Sequence, residues 1–128
     1  MKKLLLLLLF IPLFSFSQYF TGQRVFEDKF PVERIDKDRS SYLLIKNSDQ
    51  DIIVALKDVN RDVVIQHAYI KARDNYKFKN IPIGKYVCMY MWTDRLGKRH
   101  YSIDDQYMDF PEEVTSYAYY EITMEKSI

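Results

Sequence analysis

The chain has 128 residues, a formal net charge of +1 and 48% apolar residues. That length holds one domain and excludes two large ones, and the apolar fraction excludes a disordered chain. A near-neutral balance excludes the basic excess typical of a nucleic-acid binder. A single cysteine, Cys88, excludes an intramolecular disulfide framework.

Residues 1–17 have the layout of a secretory signal peptide. Lys2 and Lys3 precede an apolar run from Leu4 to Phe14, and Ser15 and Ser17 stand at −3 and −1 of a cut before Gln18. The run is shorter than the roughly 20 residues that span a bilayer. No cysteine stands at the cut to carry a lipid. The expected product is therefore exported, periplasmic or secreted, with no stable membrane anchor. Cleavage removes Lys2 and Lys3 and moves the net charge from +1 to −1.

Residues 18–39 show no sustained period and are predicted to form an N-terminal arm, with a short edge strand near Arg24–Phe26. Pro31 argues against a central strand there. Residues 40–128 read as a β-domain. Ser40–Lys46 and Asp51–Leu56 are short apolar runs separated by the polar turn Asn47–Gln50. A second turn over Lys57–Asp62 leads into a strand over Val63–Ala72, with Val63, Ile65, His67 and Tyr69 assigned to one face. After Arg73–Asn75, Tyr76 and Phe78 alternate with Lys77 and Lys79 as in a half-buried strand.

Gly84–Thr93 is apolar on both faces, Tyr86, Cys88, Tyr90 and Trp92 on one and Val87, Met89 and Met91 on the other. It is placed centrally. Asp94–Lys98 forms a hairpin loop and Arg99–Ile103 returns antiparallel. Asp104–Glu113 is an acidic loop broken by Pro111. A last strand is expected over Val114–Glu125, with Tyr117 and Tyr119 on its outer face. Short runs divided by Asn/Asp-rich turns predict an all-β fold, a single antiparallel β-sandwich of about seven strands.

Ile81-Pro82-Ile83-Gly84-Lys85-Tyr86, following Tyr76-Lys77-Phe78-Lys79-Asn80, resembles the strand-corner-strand signature of prealbumin-like sandwiches, including the carboxypeptidase regulatory-like domain. The close match covers Tyr76–Tyr90. Pro82 fixes φ and stops one strand, Gly84 permits the turn, and Tyr86 can send its hydroxyl back across the corner, as in the tyrosine corner of immunoglobulin-type sandwiches. The resemblance implies a prealbumin/immunoglobulin-like fold and a non-catalytic module that supports, spaces or binds.

Chemistry-bearing residues are sparse. His67 is read as a strand histidine and His100 as a solvated loop residue, since no Cys or second His has ligand spacing near either. Cys88, between Val87 and Met89, lacks the electropositive setting of a nucleophile and is read as a buried thiol. Asp104, Asp105, Asp109, Glu112 and Glu113 lack calcium-loop spacing and are read as a solvated acidic loop. No cofactor or metal is expected. Tyr117 and Tyr119, with Trp92 if exposed, are the candidate binding residues, because flat aromatic area with a polar handle suits a sugar or a protein partner. The expected function is an exported binding or accessory module at a bacterial envelope, its partner a protein or carbohydrate. The alternatives are a small metal-dependent or hydrolytic enzyme using His67, His100 and the acidic loop, and a structural module docking by its edge strands.

Overall fold

The computed structural model describes residues 19–94, 96–110 and 119–124. The expected signal over residues 1–17 lies outside them, as do Tyr117 and the start of the predicted last strand. The described residues form eight strands and no helix. These are β1 (Tyr42–Lys46), β2 (Ile52–Asp58), β3 (Val63–Ile70), β4 (Asn75–Lys79), β5 (Gly84–Thr93), β6 (Arg99–Ile103), β7 (Met108–Phe110) and β8 (Tyr119–Thr123).

The strands make two sheets in a sandwich-like arrangement, one of order β4-β1-β8 and one of order β3-β2-β5-β6, with β7 also pairing β5. Alternation along each strand sends one side-chain set inward. Leu43, Ile45 and Phe78 from the smaller sheet meet Val54, Leu56, Ile70, Tyr86, Cys88 and Tyr90 from the larger one in a single buried core. At one seam Gln66 Nε2 donates to the carbonyls of Lys79 and Arg34. At the other, the Tyr120 hydroxyl accepts from Asp109 N–H and donates to Asp109 C=O.

Four expectations need correction. The pairing is not wholly antiparallel, because β8 runs parallel to β1 in the register Tyr42↔Tyr119. Between β7 and β8 the chain passes from one sheet to the other, so β8 is not bound to its neighbour by a tight hairpin, which would have forced the antiparallel sense. The acidic loop is not all loop, since β7 pairs Gly84–Tyr86 of β5 and buries Met108 and Phe110. Arg24–Phe26 is not a strand; the arm advances by turns from Thr21 to Lys29.

Fourth, Val63, Ile65, His67 and Tyr69 do not share a face. A register shift between Leu56 and Lys57 lies opposite Ile65. A bulge inserts one unpaired residue and so inverts the alternation on either side of it. Ile65 therefore joins the core. His67 and Tyr69, paired with Ala55 and Ile53, take the outer face.

The corner after β4 is closed by side chains. The Tyr86 hydroxyl donates to Pro82 C=O at 2.9 Å. A Cβ at position 84 would lie 3.2 Å from the Tyr86 hydroxyl oxygen and Cζ, so glycine makes room for the ring.

Candidate functional site

Strand register dictates the outer face of the larger sheet. Tyr69, Ile53, Met91 and Tyr101 are successive cross-strand partners from β3 to β6 and form one row. His67, Ala55, Met89 and Ile103 form the next. Cross-strand neighbours on one face stand close enough for their side chains to touch. The result is an apolar face rather than the polar one of a sheet open to water on that side.

The N-terminal arm covers the β3 half of this face. Gly22 N–H donates to Tyr69 C=O and Tyr69 N–H donates to Gln23 C=O, so the arm satisfies the backbone edge of β3. Tyr19 packs edge-on against Tyr69 with ring centroids 5.3 Å apart. Phe26 N–H donates to His67 Nε2 at 3.0 Å and the Phe30 ring meets the imidazole at 5.3 Å. An acceptor Nε2 fixes the neutral tautomer with its proton on Nδ1. That Nδ1 is buried without a partner among the described residues. Burial first, and the Arg24 guanidinium second, hold the His67 pKa below its ordinary value. His67 is thus a latch for the arm, not a solvated base.

The β5–β6 hairpin supplies a second cluster. Asp94 Oδ1 accepts from Leu96 and Lys98 N–H, and its Oδ2 pairs with His100 Nε2 at 2.8 Å. The hydrogen bond from His100 is the main cause that lowers the Asp94 pKa, and the Lys98 N–H adds to it. An ionised carboxylate only accepts, so His100 Nε2 carries the proton. The His100 ring stacks on Trp92 at 5.4 Å and 12°. His100 is a strand residue with a fixed partner, in place of the solvated loop residue expected.

Between arm and hairpin lies an open cleft of about 1380 Å³ at one end of the larger sheet. Tyr19, Phe26, Tyr69, Trp92 and Tyr101 give it aromatic walls, and Asp49, Asp51, Asp94 and Arg99 give it charged groups. Asp51 is held in place, as its carboxylate accepts from the Tyr69 hydroxyl and from Ala72 N–H. Burial, then that bond to Asp51, pushes the Tyr69 pKa well above the usual phenol value.

The candidates named from sequence are dispersed. Trp92 is half-buried, packs on the core and has one face covered by His100. Tyr119 pairs with Tyr42 in β8, and Tyr117 lies outside the described residues. Pro82, Gly84 and Tyr86 meet at the corner described above. His67 and His100 do not converge: β3 and β6 are the two edges of the larger sheet, and the alternation places His67 on its outer face and His100 on its inner one. Of the acidic segment, Asp104 accepts from the Tyr90 hydroxyl at 2.7 Å, while Glu112 and Glu113 lie outside the described residues. Among the described residues no group of three or more His, Cys, Asp or Glu side chains is assembled to hold a metal. Cys88 is buried, and desolvation pushes its pKa up to about 12.

The cleft is not legible in the sequence because its walls come from four separated segments. The one local signal is the spacing of Tyr19, Phe20, Phe26 and Phe30 along an otherwise charged arm. Comparisons with family models, with curated proteins and with solved structures gave no match.

Proposed function

We propose that this chain is an exported, non-catalytic binding module of prealbumin/immunoglobulin-like type, acting at a bacterial envelope, and that the cleft is its ligand site. The carrying observation is the cleft itself, open to solvent, walled by five aromatic rings and edged by Asp49, Asp51, Asp94 and Arg99. Flat aromatic faces beside carboxylates and a guanidinium suit a saccharide, which offers apolar C–H faces for stacking and hydroxyls for hydrogen bonds. The Pro82–Gly84–Tyr86 corner supports the fold assignment, and the layout of residues 1–17 supports export.

The test is titration with a panel of soluble oligosaccharides, read by Trp92 fluorescence and calorimetry. Saturable binding that weakens at least about tenfold in Tyr101→Ala and in Tyr19→Ala is the expected result. Absence of binding across the panel, or binding untouched by both substitutions, would remove the cleft as a saccharide site. Export is checked separately by the N-terminal residue of protein recovered from an envelope fraction, expected to be Gln18.

A further inference from the structure

The two edges of the larger sheet are treated differently. β3 has its backbone edge occupied by the arm, through Gly22, Gln23 and Arg34, whose N–H donates to Ile65 C=O. β6 forms the opposite edge, and no described residue pairs with its outer side. The direction of its backbone groups follows from two bonds flanking the strand. Asp94 N–H donates to Lys98 C=O and Asp104 N–H donates to Cys88 C=O. In an antiparallel ladder residues facing the partner alternate with residues facing away. His100 and Ser102 therefore share the phase of Lys98 and Asp104 and bond β5. The N–H and C=O groups of Arg99, Tyr101 and Ile103 point outward.

This edge is self-complementary. Charge is segregated along it, with Lys98 and Arg99 at one end and Asp104 and Asp105 at the other. Antiparallel pairing of two copies about a two-fold axis at Tyr101 sets Tyr101 against Tyr101, Arg99 against Ile103 of the second copy, and Lys98 against Asp104 of the second copy. Every outward N–H then meets an outward C=O, and each basic end lies beside an acidic one. Other registers lose one of these matches. Parallel pairing sets like charges together, which is unfavourable. Tyr101 is 59% exposed and Ile103 46% exposed, so both have area to bury in such a contact.

We infer that β6 is a homodimerisation edge, joining two copies of this chain through one continuous sheet with Tyr101 on the two-fold axis. A contact of this kind is small, so it is concentration-dependent and weakened by salt. The edge shares Arg99 and Tyr101 with the cleft, and Lys98, which does not line the cleft, separates this inference from the saccharide reading.

The experiment is sedimentation equilibrium of the purified protein across a concentration series reaching about 100 μM, at low and high salt. Wild type should show a monomer–dimer equilibrium that shifts toward monomer at high salt. Tyr101→Pro removes one outward N–H and no bond to β5, a change edge strands tolerate; it should weaken association at least about tenfold. Lys98→Glu leaves the backbone intact, sets a second carboxylate against Asp104 of the second copy, and should weaken association similarly. Should Tyr101→Pro fail to fold by circular dichroism, Lys98→Glu decides alone. A protein that stays monomeric at the top concentration overturns the inference, and so does a dimer that Lys98→Glu leaves unchanged. Oligosaccharide binding by a strictly monomeric protein would overturn this inference and leave the cleft standing.

Discussion

His67 concentrates the consequences of burying a titratable group. Its Nε2 must be unprotonated to accept from Phe26 N–H, and the imidazole is buried against the Phe30 ring. Arg24 faces it as a cation, itself paired with Glu27 and Glu33. A base whose folded pKa lies below its unfolded value of about 6.5 binds fewer protons when folded. Its contribution to stability is therefore fully present above about pH 6.5 and declines as pH falls through the lowered folded pKa. Urea midpoints measured near pH 7.5 and near pH 5 should fall on acidification, and less so in His67→Gln, which keeps an acceptor without a titrating ring. At the corner, Tyr86→Phe leaves Pro82 C=O without its donor and should cost about 1–2 kcal/mol, read from the denaturation midpoint. The corner is readable from sequence because Pro, Gly and Tyr act within six residues. The latch is not, because Phe26 and His67 are joined only by tertiary structure.

Strand β7 is only three residues long, yet it closes the seam between the sheets. Phe110 lies fully buried between the Tyr86 ring at 5.8 Å and the Tyr120 ring at 5.2 Å. Phe110→Ala should cost about 3–5 kcal/mol, as for other buried phenylalanines, and a midpoint shift of that size would show that β7 is integral to the core. Little loss would mark it as an appended flap. In sequence, Met108-Asp109-Phe110 sits among acidic residues before Pro111, and composition masks a genuine alternation of period two. Longer strands are more legible. The two-faced apolar pattern of Gly84–Thr93 matches the central position of β5, bounded by β2 on one side and by β6 and β7 on the other. The shared face expected over Val63–Ala72 fails on the bulge opposite Leu56 and Lys57, because a one-residue slip inverts every side chain beyond it.

At the scale of the molecule, the two sheets share one interior, and Cys88 reports on it. The thiol is fully buried and its pKa is pushed up to about 12, so native protein should resist a thiol reagent at neutral pH. Labelling should proceed only at the rate of opening, and should become complete in denaturant. Rapid labelling of native protein would mean that the seam beside β5 opens locally.

The parallel pairing of β8 with β1 bears on how the chain must assemble. Tyr42 meets Tyr119, so the first strand and the last described one are immediate neighbours. A contact between such distant points raises the contact order and pays its loop-closure entropy late, which slows folding. During synthesis, β1 has β4 on one side but must wait for β8 on the other. Until β8 arrives, Leu43 and Ile45 stand beside an open strand edge, the kind of surface that recruits chaperones or other chains.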